Sequence, residues 1–123
     1  MPKKFDLAAN PAPQSCRLIN FAKAEVHPGI IPNTWFLTVS GTKPCLNMKV
    51  DLVPLVYVQC PDFWGIEVVG CLPEGICLTA TAPYSVTIPL AGITGSSGIE
   101  VIGANKTKKI KVKGGCEPIN PTS

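Results

Sequence analysis

The segment of residues 75–99 contains no charged side chain and is bounded by Glu74 and Glu100. Pro83 and Pro89 interrupt it, so it is not the continuous apolar run that a membrane span requires. Threonine and serine alternate with apolar residues along it, which is the pattern of β-strands. Two strands with so little charge on either face predict a sheet that lies against another surface.

The composition predicts one domain whose surface is partly covered. The chain has 123 residues, and only 15% of them are charged, against about a quarter in typical globular proteins. Thirteen prolines and eleven glycines leave little room for long helices. The net charge of +3 does not by itself indicate a nucleic-acid partner.

Short alternating segments follow one another between the two ends of the chain. The clearest are residues 35–40, 46–52, 64–68 and 84–90, and weaker ones cover residues 56–60, 76–82, 99–101 and 110–112. Residues 16–26 fit a helix or a strand, and we favour the strand. The glycine-rich residues 92–98 are expected to form a hairpin loop.

This spacing predicts an all-β fold, an antiparallel β-sandwich of immunoglobulin-like type with eight or nine strands. A closed barrel is the alternative. We place the sandwich domain at residues 16–113. Residues 1–15 form an extended N-terminal arm and residues 114–123 a C-terminal tail, because proline and polar residues dominate both segments.

The six cysteines allow two interpretations. No C-x-x-C pair is present, so zinc-ribbon and thioredoxin motifs are absent. The N-terminal residues lack the features of a signal peptide, so synthesis in the cytosol is expected, and reduced, buried cysteines are the favoured interpretation. The alternative is a set of disulfides. In that case we predict a bridge between Cys16 and Cys116, where the arms leave the sandwich.

No constellation of residues indicates an enzyme, a cofactor or a metal site. His27 is the only histidine, it precedes Pro28 and Gly29, and no nucleophile motif accompanies it. Asp51 and Glu67 are the one conceivable acid–base pair, but solvated surface charges are the simpler interpretation. We therefore predict that the protein is not an enzyme, and that catalytic, cofactor-binding and metal-binding residues are absent.

One cluster of lysines deserves a separate interpretation. Lys109, Lys111 and Lys113 project from one face if their segment is a strand. They protect an edge strand from aggregation or contact an acidic protein surface. No aromatic residue lies among them, so nucleic acid is not indicated.

These features together predict a structural or assembly protein that binds other protein chains and forms a homo-oligomer. The most concrete form is a virion component, such as a bacteriophage capsid decoration (cement) protein that contacts capsid subunits, without a membrane partner. The alternative is an extracellular immunoglobulin-like adhesion or ligand-binding module with disulfides, which binds through residues 27–34 and 91–98. The predicted interface residues are Phe5, Leu7, Thr79, Thr81, Ser85, Thr87 and Ile119.

Overall fold

A computed structural model describes residues 15–117 of the chain. This part contains eight strands and one 3₁₀ turn, Pro73–Gly75. The strands are β1 (Ser15–Leu18), β2 (Lys23–Pro28), β3 (Trp35–Lys43), β4 (Lys49–Pro54), β5 (Phe63–Leu72), β6 (Ala82–Pro89), β7 (Gly98–Ile102) and β8 (Thr107–Lys111). The predicted all-β class is therefore confirmed.

The strands form two sheets, which is consistent with a β-sandwich. In the larger sheet, β4 pairs with one edge of β5, while β1 and β7 share the other edge and β8 lies beyond β7. The smaller sheet has the order β2-β3-β6. One pairing departs from the antiparallel prediction, because β5 and β7 run parallel.

The core lies between the two sheets and is built by the alternation seen in the sequence. Leu37 and Val39 of β3 and Ile66, Val68 and Val101 of the larger sheet are fully buried. Their neighbours Thr38 and Ser40 lie on the outer face of the smaller sheet, as period-two alternation requires. The strand predictions for residues 35–40, 64–68, 84–90, 99–101 and 110–112 place the correct residues inward.

Two predicted strands are wrong. Residues 76–81 are irregular, and Ile76 and Leu78 are exposed. Instead of pairing as a strand, this segment is held by the Cys45–Cys77 disulfide and by Asn47, whose amide bonds the backbone of Ile76 and Leu78. Residues 56–60 are also a loop.

All six cysteines are bridged, contrary to the favoured reduced state. The pairs are Cys16–Cys71, Cys45–Cys77 and Cys60–Cys116. The predicted bridge between Cys16 and Cys116 is wrong, because these residues lie at opposite ends of β5. Cys16 is paired with the second-last residue of that strand, while Cys116 is bridged to a residue just before its start. The ten residues of β5 separate the two sites by about 30 Å.

The glycine-rich segment is also not a hairpin loop, because it connects β6 of the smaller sheet to β7 of the larger one. Its backbone is closely hydrogen-bonded. Ser96 N–H donates to Pro61 O at 2.9 Å, and Ser97 N–H donates to Asp62 O at 2.7 Å. This crossover therefore fixes the loop before β5 against the start of β7.

Candidate functional site

The strand directions bring four segments to one end of the molecule, which we call the loop end: residues 28–35, 54–62, 89–97 and 112–117. β2, β4, β6 and β8 finish there, while β3, β5 and β7 begin there. Two of these segments carry aliphatic side chains that are almost fully exposed. The loop end is therefore the strongest candidate for a binding surface among the described residues.

The first exposed tip is the β2–β3 loop. Ile30 is 103% exposed and Ile31 is 68% exposed. The loop is closed by a backbone bond of 3.2 Å from Thr34 N–H to Ile31 O, with Pro32 and Asn33 between them. Asn33 has φ of 65°, and Pro followed by Asn suits the central positions of a type II turn. The isoleucines are therefore held outward by a defined turn.

The second exposed tip is the β4–β5 loop, where Val56 is 95% and Val58 is 100% exposed. Tyr57 between them is half-buried and packs against β5. Its hydroxyl accepts a bond of 3.0 Å from Gly65 N–H, and its ring meets Trp64 edge-on at 5.0 Å. Because successive side chains of an extended segment point to opposite sides, fixing Tyr57 inward directs both valines to solvent.

A cleft of about 360 Å³ lies between the first loop and the C-terminal segment. Trp35 and Leu90 line it from the smaller sheet, and Thr94 and Lys113 from the other side. The Cys60–Cys116 disulfide joins the far wall to the loop that carries Val58. The loop end thus presents two exposed aliphatic tips together with a cleft that Lys113 lines.

The predicted interface residues that the structure describes are not all together. Ser85 and Thr87 lie exposed on β6, on the outer face of the smaller sheet. There, Thr87 Oγ1 is 2.8 Å from Thr38 Oγ1, and Thr38 Oγ1 is 2.9 Å from His27 Nε2. Thr79 and Thr81 are exposed in the irregular segment before β6. Phe5, Leu7 and Ile119 lie outside the described residues.

The lysine cluster is divided by the structure. Lys109 and Lys111 belong to the edge strand β8, but Lys113 follows the strand and lines the cleft. Lys109 Nζ lies 5.1 Å above the ring centre of Phe63. This arrangement fits edge protection by lysine, and the acidic-partner interpretation remains a prediction.

No catalytic arrangement is visible in residues 15–117. His27 is an exposed strand residue that stacks near Phe36, with ring centres 6.1 Å apart. Asp51 and Glu67 lie on adjacent strands of an outer sheet face, away from the cleft. The same part of the chain has no group of three or more His, Cys, Asp or Glu residues that could hold a metal ion. It also has no helix long and apolar enough to cross a membrane.

Comparison with known proteins gives no match: no family model fits the sequence, and no curated protein or solved structure is significantly similar. The site must therefore be interpreted from its own residues. Sequence reasoning included the first tip only within residues 27–34, the binding loop of the alternative function, without naming its isoleucines, and it missed the second tip. The available signal was Ile30–Ile31 between Gly29 and Pro32, since an apolar pair inside a turn sequence has no strand to bury it.

Proposed function

We propose that this chain is a structural or assembly protein, not an enzyme, and that it binds other protein chains through its loop end. One observation carries the proposal: Ile30, Ile31, Val56 and Val58 are exposed on two restrained loops at the same end of the molecule. Burying apolar surface in a partner gains about 25 cal/mol per Å². Clustered apolar side chains on a soluble domain commonly mark such an interface.

The concrete form of this function that we propose is a subunit of a larger assembly, such as a bacteriophage capsid decoration protein. The low charge content of the chain supports this form. The three disulfides imply that the protein reaches an oxidising environment. In such an assembly the loop end faces the neighbouring protein shell.

A second candidate is an extracellular, immunoglobulin-like binding module. Three disulfides favour it, because disulfides persist in oxidising compartments. The two loops predicted for this function, residues 27–34 and 91–98, both contribute to the cleft, through Asn33 and Thr34 on one side and Thr94 on the other. Thiol counting on protein from its native source tests this candidate, and free thiols there would contradict it.

Site-specific photo-crosslinking tests the proposed surface. A photoreactive residue replaces Val58 or Ile30 in the protein produced in its native source, and the adducts are identified by mass spectrometry. The control position is Val53, a 41% exposed valine on the outer face of the larger sheet. We expect protein adducts from positions 30 and 58 and few from position 53. Lipid adducts, or equal labelling at all three positions, would contradict the proposal.

A further inference from the structure

The outer edge of β6 carries backbone groups that no described residue pairs. Leu90 N–H donates to Trp35 O at 2.9 Å, so Leu90 and Trp35 form a hydrogen-bonded pair. This pair shows which residues of β6 direct their backbone hydrogen bonds to β3. Because bonded and non-bonded pairs alternate in an antiparallel ladder, Ser85 and Thr87 direct their N–H and C=O groups away from β3. Pro83 and Pro89 have the same orientation and bracket this open edge.

A groove of about 420 Å³ lies between this edge and β4. Its lining is mixed: Lys43, Asn47, Lys49 and Ser85 contribute polar groups, and Val86 lies beside the almost fully buried Met48, Val50 and Tyr84. The opposite seam of the sandwich is closed differently. There, Lys108 of β8 donates to Ala24 O of β2 at 3.0 Å. One seam is thus bridged, while the other combines an open strand edge with a groove of mixed polar and apolar lining.

We propose that residues 3–10 of a second copy of this chain pair with the β6 edge and fill the groove. Phe5, Leu7 and Ala9 alternate with Asp6 and polar or small residues, which is the pattern of a strand with one buried face. The segment lies between Pro2 and Pro11 and has the length of β6, which is 8 residues. Addition of a strand to an open edge is an established mode of recognition.

The chain path favours the second copy. Ser15 pairs with Leu72 on the edge of β5 that faces away from β4. To dock on the groove of its own chain, the segment must therefore cross from Ser15 past β5 and β4 to the position of the next strand. The straight-line distance is at least about 15 Å. Residues 11–14, which link the segment to Ser15, span at most about 18 Å when fully extended. The 3₁₀ turn Pro73–Gly75 lies at the end of the sandwich around which this linker would have to pass.

If two copies exchange these N-terminal segments, the result is a closed dimer. The described chain starts at the end of the sandwich where β6 and β4 begin, so the donor segment and the groove lie at the same end. Two copies that exchange segments form a two-fold dimer with both edges covered. This surface is separate from the loop end, so the inference does not depend on the function proposed above.

Light scattering on the full chain over a concentration series tests the dimer. We expect twice the mass of 13.0 kDa for the wild type. Leu7→Asp removes an apolar residue from the docked face, and Thr87→Pro removes one edge N–H. Each should weaken dimerisation about tenfold or more, since 1.4 kcal/mol corresponds to a factor of ten. The matched variants Ala8→Asp and Thr87→Val should remain dimers. A monomeric wild type, or a dimer that Leu7→Asp leaves intact, would overturn the proposal.

Crosslinking identifies the acceptor even if Thr87→Pro fails to fold. A photoreactive residue at position 7 is introduced into the full chain, and isotopically heavy and light copies are mixed before irradiation. The proposal requires adducts to peptides containing Val50 or Val86, with heavy–light pairs among them. Adducts only within single copies show that the segment docks on its own chain. Adducts elsewhere show a different site. Both results contradict the inference.

Discussion

Tyr84 connects β6 to the turn between β1 and β2, because its buried hydroxyl donates to Asn20 O at 2.7 Å. Burial raises the pKa of this hydroxyl above its usual value of about 10. The folded protein therefore retains the proton while the unfolded chain ionises. The resulting stabilisation is complete below about pH 10 and is lost as pH rises from that value through the folded pKa.

We predict that Tyr84→Phe lowers the free energy of unfolding by about 1 kcal/mol at neutral pH, because Asn20 O loses its donor. The gap between wild type and variant should narrow above about pH 10. Urea unfolding of both proteins across this range measures the gap. Lysine ionisation is common to both and cancels in the difference. Parallel pH profiles would show that Tyr84 does not titrate as described.

Gly98 and Gly92 form a matched pair for testing the crossover between the sheets. Both have positive φ, 155° and 80°. A Cβ at position 98 would collide with Ile110 O, whereas a Cβ at position 92 would meet open space. We expect Gly98→Ala to cost about 3 kcal/mol or more and Gly92→Ala about 1 kcal/mol. Chemical denaturation of the two variants compares them, and equal losses would contradict the close approach of β7 to β8.

At the scale of elements, the disulfides Cys60–Cys116 and Cys16–Cys71 close loops of nearly equal length, with separations of 56 and 55 residues. The chain-entropy model gives each about 4 kcal/mol. Replacing either pair by alanine should therefore cost a similar free energy of unfolding. Only loss of Cys60–Cys116 should speed amide exchange in residues 112–117, where Cys116 N–H donates to Thr94 O. An unchanged exchange rate there would show that the cleft wall does not need its bridge.

The same elements show how far a sequence pattern reaches. Alternation located Leu37, Val39, Ile66 and Val68 correctly, because one face of each strand is buried and the other is not. It failed at Val56 and Val58, since the pattern does not reveal that Tyr57 finds a partner in Gly65 N–H. The second tip therefore became visible only with the tertiary contacts. Disulfide pairing failed for a related reason, because it depends on strand neighbours that are distant in sequence.

At the scale of the whole molecule, two disulfides stabilise the end where the described chain starts and one stabilises the loop end. Together the three contribute about 12 kcal/mol in the chain-entropy model. Domains of this size have a total stability of about 5–15 kcal/mol. The contribution of the disulfides is therefore comparable with the total free energy of unfolding. We expect the protein to act where its disulfides are maintained.

We predict that full reduction unfolds the chain at room temperature. The near-ultraviolet circular dichroism of Trp35 and Trp64, which pack against the core, should disappear when a thiol reductant is added. Protein that is reduced and then alkylated should show no cooperative thermal transition, whereas reoxidation of reduced protein that has not been alkylated should restore both signals. The control is the oxidised protein treated with the alkylating reagent alone, because it has no free thiol to react. If the reduced chain still unfolds cooperatively near the midpoint temperature of the oxidised protein, the two sheets are stable without the disulfides. The protein could then also act in a reducing compartment.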